Sequence, residues 1–241
     1  MAAAPATPEP AGPPPQLVES AAHVFVADLE EPVLVDDDAH HLERVLRLRD
    51  GEVVTASDGD GRWRRCVFAR AALEPAGPVL TSPHPGPAIA VAFAVPKGDR
   101  PELIVQKLTE IGADVIIPMM TARSIVRWDV PRARKHGERL SRVAREAAMQ
   151  SRRTRLPLVE ALTSFTAVVA RPGAALAVPG GTSPTMSTPL VLIGPEGGWS
   201  PAELDAASAK VGLGDQVLRA ETAAIVACTL LVATRARSVD A

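Results

Sequence analysis

Apolar and polar positions follow two different periods along this chain, and the change between them divides it. His23-Val24-Phe25-Val26, Glu52 to Ala56 and Trp63 to Phe68 are short apolar stretches that predict strands. The last two flank the turn Asp58-Gly59-Asp60-Gly61. Asp37 to Leu48 has helical spacing, with Leu42, Val45 and Leu46 on one side and acidic residues at its start. Together these predict a small β-rich domain over residues 21–84. The segment Glu74 to Pro87 holds five prolines and marks the domain boundary.

Beyond it the pattern lengthens. Ile89 to Val95 is a continuous apolar strand, and Pro101 to Ile111 is an amphipathic helix that stops at Gly112. Val115 to Met119 predicts a strand, and Pro131 to Ser151 a long basic helix. Strands follow at Ala174 to Val178 and Leu190 to Ile193, then a helix from Ala202 to Val211. Asp215 to Leu218 predicts a last strand and Thr222 to Arg235 a last helix. Strands alternating with helices predict an α/β domain over residues 88–241, with a mostly parallel sheet covered on both faces.

Composition adds three constraints. Aromatic residues are 3% of the 241 and tyrosine is absent, so the cores must be built from Ala, Val, Leu and Ile. The formal charge is −2, but from Arg123 to Arg155 the chain carries 11 bases and 3 acids, which points to a polyanion surface there. Cys66 and Cys228 lie far apart without paired-ligand spacing, so both are expected as buried thiols in a reducing compartment, and no metal site is expected. No run of eighteen apolar residues is present, so no membrane span is expected. The Ala/Pro-rich start, residues 1–20, reads as a disordered tail rather than a signal peptide.

Three segments carry the candidate chemistry. The first is Leu192-Ile193-Gly194-Pro195-Glu196-Gly197-Gly198, where a strand runs through a glycine-rich turn into a helix capped by Ser200 and Glu203. It is neither a P-loop nor a dinucleotide fingerprint. Glycines there leave backbone groups open to a flat ligand; the alternative reading is a tight strand-to-helix connection. The second is Leu213 to Ala224, LGDQVLRAETAA, where Arg219, Glu221 and Thr222 cluster at a helix start. An arginine able to hold an oxyanion beside a carboxylate able to manage a proton is one reading; an ordinary ion pair plus a Thr222 cap is the other. The third is the basic helix and its exit, with Arg139, Arg142 and Arg145 spaced by three, then Arg152, Arg153 and Arg155. It reads as a phosphate-binding surface or as a solvated face.

The pairing of LIGPEGG with LGDQVLRAETAA strongly resembles the RsmE family of 16S rRNA uridine methyltransferases, in the SPOUT superfamily. HHLERVLRLRDGE, ELIVQKLTEIGADVIIPMMTARS and AREAAMQSRRTRLP are similar to further segments of that family, from about His23 onward. The resemblance implies an N-terminal PUA-like β-barrel and a C-terminal SPOUT α/β domain with a deep trefoil knot. It implies an S-adenosylmethionine-dependent, cytoplasmic homodimer that methylates N3 of a uridine in 16S rRNA, within the 30S subunit. Ala177 and Val178, the turn Ile193, Gly194, Pro195, Glu196, Gly197 and Gly198, and Leu213, Gly214, Val217, Leu218, Arg219 and Thr222 are then expected to hold the cofactor. The apolar members of that set, Ile193, Leu213, Val217 and Leu218, are expected to sandwich its adenine. Arg219 is the candidate to stabilise charge on the uracil, and Glu221 the candidate base. Arg44, Arg47, Arg123, Arg145, Arg152, Arg153 and Arg155 are the candidates for RNA, with Arg62, Arg64 and Arg65 as a further local patch.

The chain departs from the family pattern at Arg152, where a glycine is common, and at Gln216, where a base is common. Both changes touch RNA contacts more than the chemistry. Two other readings stay open: 2′-O-methylation of a ribose by a relative of the same superfamily, and a non-catalytic RNA-binding protein with this fold.

Overall fold

The computed structural model of the chain describes residues 14–126 and 128–239. Most of the expected tail lies outside these residues, but its end does not behave as a tail. Pro15–Val18 form a helical turn, α1, and Leu17 is buried in the first domain.

The first domain is a five-stranded sheet. β1 (Ala22–Phe25) pairs parallel with β2 (Val53–Ser57), which turns back antiparallel onto β3 (Arg62–Ala69). β3 also pairs with β4 (Ala72–Pro75) and β5 (Leu80–Thr81). These last two strands occupy part of the segment expected as linker, because β3 is eight residues long and recruits partners along its whole edge. The helix expected from Asp37 begins as α2 (Asp36–His40) and then widens into a π-helical turn, His41–Val45. The extra residue per turn rotates the following side chains off the buried face. Leu42 stays buried, whereas Val45 (61% exposed) and Leu46 face outward, contrary to the apolar stripe read from the sequence.

The second domain is a seven-stranded sheet, parallel throughout. Its strands are β6 (Ala90–Ala94), β7 (Val115–Met120), β8 (Leu158–Val159), β9 (Thr163–Ser164), β10 (Ala174–Thr182), β11 (Leu190–Ile193) and β12 (Lys210–Val211). They lie in the order β12-β10-β11-β6-β7-β8, with β9 also on β7. The helices are α3 (Arg100–Ile111), α4 (Val130–Gln150), α5 (Phe165–Val169), α6 (Pro201–Ala206) and α7 (Ala220–Val239). Alternate residues of the central strands feed two cores. Val91, Phe93, Val191 and Ile193 pack with α3, α4 and α7, while Ala92, Ile117, Leu190 and Leu192 pack with Phe165, Val168 and Trp199. A parallel sheet buried on both faces reads as continuous apolar runs, which is why these strands were legible.

Two expectations fail here. The helix after the glycine-rich turn ends at Ala206, because Ala207 is already extended, and residues Lys210–Val211 form the edge strand. Asp215 to Leu218, expected as that strand, is a loop. Both cysteines are buried thiols, as expected, and burial pushes Cys66 up to about 11 and Cys228 up to about 12.

The domains meet along β1 and the exit of α4. His23 is buried there: its Nε2–H donates to the Arg153 carbonyl at 3.0 Å, which makes Nδ1 the acceptor for the Thr55 hydroxyl at 2.8 Å. Burial, aided by the nearby Arg152 charge, lowers His23 to about 4, against the bond to Arg153. Native His23 therefore stays neutral between pH 6.5 and 4, while the unfolded chain takes up a proton. Its contribution is complete above pH 6.5 and is lost as pH falls toward 4, by about 3 kcal/mol. Urea denaturation of the wild type and His23→Gln at pH 7 and 4.5 checks this. The variant should lose less stability on acidification, and equal losses would remove His23 from the interface's pH response.

Candidate active site

The carboxyl ends of β6, β7, β10 and β11 lie along one edge of the parallel sheet, where open α/β sheets take ligands. The turn after β11 is built tightly. Gly198 N–H donates to the Pro195 carbonyl at 2.8 Å. A Cβ on Gly194 would lie 3.0 Å from the Trp199 ring, so this glycine admits the indole rather than a ligand. The indole N–H in turn donates to the Ala177 carbonyl at 3.0 Å, bolting the turn to β10. On the outer side the Arg123 guanidinium donates to the Gly197 carbonyl at 2.9 Å, and Arg100 pairs with Glu196 at 2.5 Å.

Glu203 fixes the same edge from below. It is buried, and its Oε2 accepts from Ser200 N–H at 2.8 Å in the capping box foreseen from the sequence. Its Oε1 accepts from Ala122 N–H at 2.8 Å, which ties the Thr121–Ser124 turn to α6. One carboxylate thus holds two of the loops at the strand ends.

Beside the turn a cleft of about 390 Å³ opens between the end of β10 and the loop before α7. It is lined by Pro179, Gly180, Gly181, Ser183, Gly212, Gly214, Asp215, Gln216 and Val217. Its floor is the close pairing of β10 with β12 at an irregular register. Gly212 N–H donates to the Thr182 carbonyl at 2.7 Å, and a Cβ on either Gly181 or Gly212 would overlap the other strand. Gly180 and Gly214 face open space instead. Bare backbone donors and acceptors around a volume of this size suit a nucleoside-sized ligand of the S-adenosylmethionine class. Gly214 and Val217 were read from the sequence, but Pro179, Gly180, Gly181 and Gly212 were not. The signal was present in Val178-Pro179-Gly180-Gly181, and only pairing with β12 shows its use.

Other candidates need correction. Ile193 is buried in the core formed with α7, so its side chain cannot stack on a ligand. Leu213 and Leu218 also pack against that core, whereas Val217 is 91% exposed at the cleft rim. Thr222 does not cap α7: the helix starts at Ala220, and Ala223 N–H bonds the Arg219 carbonyl at 2.8 Å. Arg219 and Glu221 do not pair with each other. Among the described residues the exposed Arg219 side chain has no hydrogen bond or ion pair, and Glu221 Oε2 is buried without a partner. A cation at a helix N-terminus is mildly unfavourable, so packing gives no reason for Arg219.

The arginines expected for RNA divide sharply. Arg145 grips the buried Asp38 with both terminal nitrogens, at 2.8 and 2.5 Å, and bonds the Phe25 carbonyl at 3.2 Å. The bond to Asp38 raises its pKa further against burial. Arg152 donates to the Ser20 carbonyl at 2.9 Å, and Arg153 to the Thr109 and Ala113 carbonyls at 2.7 and 3.0 Å. Burial lowers the pKa of both. Arg155 binds the Asp60 and Ser82 carbonyls, and Arg64 the Leu29 and Gly77 carbonyls. These five join parts of the fold, their guanidinium groups already engaged by protein acceptors and none of them fully exposed. Arg44, Arg47, Arg62, Arg65 and Arg123 keep exposed side chains.

Comparison with known proteins agrees with this architecture. A family model described as an RNA methyltransferase domain matches residues 83–232, and one described as an RNA methyltransferase PUA domain matches residues 34–72. The chain is 36% identical over 218 residues to ribosomal RNA small subunit methyltransferase E of Mycobacterium bovis, covering 81% of this chain and 83% of that one. It is similar to a Legionella pneumophila methyltransferase solved with bound SAM, at 26% identity and TM-score 0.75, covering 88% and 96% of the two chains. It is also similar to ribosomal RNA small subunit methyltransferase E of Neisseria gonorrhoeae bound to S-adenosylmethionine, at 25% identity and TM-score 0.73, covering 86% and 94%.

Replacing Arg145 by alanine leaves the Asp38 carboxylate buried and unpaired, and should cost about 3 kcal/mol of stability. Because Arg145 does not face phosphate, the slope of RNA affinity against salt should stay unchanged. Chemical denaturation and binding titrations at several salt concentrations check both. A shallower slope with intact stability would return Arg145 to the RNA surface.

Proposed function

This chain belongs to the ribosomal RNA small subunit methyltransferase E family, and we propose that its target is N3 of one uridine in 16S rRNA, methylated by a homodimer. The chain is an S-adenosylmethionine-dependent RNA methyltransferase of small-subunit rRNA. The observation that carries the finer reading is the juxtaposition at the start of α7. The cleft ends at Val217, the unpaired Arg219 follows two residues later, and Glu221 then holds a buried oxygen without a partner.

The bound cofactor supplies a methyl group already activated on a sulfonium, so the chain's residues act on the acceptor. Uridine N3 is protonated at neutral pH and must lose that proton before its lone pair can form the new N–C bond, as the methyl–sulfur bond breaks and its pair stays on sulfur as a neutral thioether. Arg219 faces the uracil O2 or O4 and stabilises the negative charge that develops there. Glu221 takes the N3 proton; its unpartnered oxygen supports that acceptor role. Gly180, Gly214 and the backbone around them hold the donor, while the bolted Gly194–Gly198 turn keeps that wall from yielding.

Three further features belong to this reading. The first is the knotted C-terminal domain that the resemblance implies, in which α7, packed under β6 and β11, is the threaded helix. The homodimer is supported by α7, which is apolar around most of its circumference yet leaves Ile225, Val226 and Leu230 half-exposed. The assembled 30S subunit in the cytoplasm is the proposed setting. Among the described residues no helix is long and apolar enough to cross a membrane.

Arg219→Ala should lower kcat on 16S rRNA by roughly 100-fold or more while S-adenosylmethionine affinity by calorimetry and the sedimentation mass stay as in the wild type. Mass spectrometry of the product nucleoside should place the methyl on the base. A ribose-methylated product, or full turnover by the variant, would overturn the assignment.

A further inference from the structure

The loop between β7 and α4 leaves the active site at Arg123 and carries a tryptophan that no core uses. Of the chain's three tryptophans, Trp63 and Trp199 are buried. Trp128 is half-buried and belongs to none of the three hydrophobic clusters. Its indole lies flat on the His136 imidazole of α4, with ring centroids 4.1 Å apart and planes 4° from parallel. Ile125 and Val130, on either side in sequence, are exposed.

The surroundings are basic. From Arg123 to Arg139 the chain has six Lys or Arg and two acids, Asp129 and Glu138. Arg132 approaches Asp129 only to 3.9 Å, and Arg134 meets Glu138 at 3.0 Å, both in exposed pairs that a phosphate can displace at little cost. Lys135 is exposed beside them. Arg123, five residues before Trp128, is held on the Gly197 carbonyl of the cofactor turn. Five residues span at most about 17 Å, so the indole stands within a few nucleotides of the reacting base.

We propose that the Trp128–His136 stack is a preformed platform on which an unpaired base of the substrate RNA stacks, with the cations of the first turns of α4 holding the adjoining phosphates. The proposal rests on the RNA-methylating reading above. A flat aromatic face rimmed by cations matches a nucleotide, which offers a π-face and a phosphate together. His136 behind the ring fixes the indole before RNA arrives, so little side-chain entropy is lost on binding. The net positive charge of the rim disfavours the same face on a second copy of this chain, which would bring like charges together.

The test compares wild type, Trp128→Phe and Trp128→Ala by filter binding to unmodified 16S rRNA and to oligoadenylate, with tryptophan fluorescence followed in parallel. Trp128→Ala should bind 16S rRNA roughly 5- to 100-fold more weakly, and Trp128→Phe should recover most of the loss. The slope of affinity against salt, the S-adenosylmethionine affinity and the sedimentation mass should not change. Oligoadenylate should quench wild-type fluorescence and leave that of Trp128→Phe unquenched although it binds. Wild-type affinity in Trp128→Ala, or quenching that persists in Trp128→Phe, overturns the platform. A lighter sedimenting species in Trp128→Ala assigns the face to a contact between copies and also overturns it. If the wild type methylates 16S rRNA while Trp128→Ala binds it normally, only the platform falls. If the wild type neither binds nor methylates it, the substrate reading falls too.

Discussion

The way α4 ends governs how the two domains sit together. After Gln150 the chain closes with a paired cap: Arg153 N–H bonds the Ala148 carbonyl at 2.9 Å and Arg152 N–H bonds the Met149 carbonyl at 3.3 Å. This motif requires a left-handed residue, usually glycine, and here Arg152 takes it at φ 59°. A side chain in that region costs roughly 1 kcal/mol. The guanidinium of Arg152 offsets this by binding the Ser20 and Ala21 carbonyls of the first domain. The departure at Arg152 is therefore a structural exchange, not an added RNA contact. The segment that follows keeps the two domains in register. Ser57 and Gly61 both donate to the Thr154 carbonyl, and Leu156 N–H returns a bond to Gly59.

That fixed seam lets the opposite edge be shaped for binding. The strand ends of the parallel sheet are held by few groups, each with two partners. Glu203 serves α6 and the Thr121–Ser124 turn, and Trp199 serves the Gly194–Gly198 turn and β10. Groups so shared resist independent movement of the loops, which preorganises this edge of the sheet before anything binds. The far end of α7 is anchored likewise: the buried Arg235 meets Asp114 at 2.5 Å, and Asp114 also accepts from Ile89 N–H. Arg219, at the other end of the same helix, can therefore remain unpaired without loosening it.

Arginine is used in two opposite ways in this chain. Its planar fork satisfies backbone carbonyls where loops meet, as at Arg64, Arg145, Arg152, Arg153 and Arg155. Elsewhere, as at Arg44, Arg47 and Arg219, it stays in solvent. Charge counts and helical spacing cannot separate these uses, because the deciding partners lie up to 132 residues away in sequence. The same limit applies to glycine. Gly194 is small for Trp199, Gly181 and Gly212 for each other, while Gly180 and Gly214 border the open cleft.

Local pattern alone determined the alternation of strands and helices, the parallel sheet with both faces buried, the capping box at Ser200 and the two buried thiols. Those features depend on side-chain period and near neighbours, which a linear chain displays directly. The paired motifs LIGPEGG and VLRAET carried the family resemblance, and the family model that matches residues 83–232 agrees with it. Tertiary structure decided the rest: that Asp215 to Val217 line a cleft as a loop, that Ile193 faces the core, and that Arg145, Arg152 and Arg155 join the domains while Arg153 ties the end of α3 within the second. It also decided that Val45 turns outward on a π-helical turn and that Trp128 rests on His136 rather than in a core. Each of these depends on which distant group arrives to take a hydrogen bond or fill a space, and no period in the sequence carries that information.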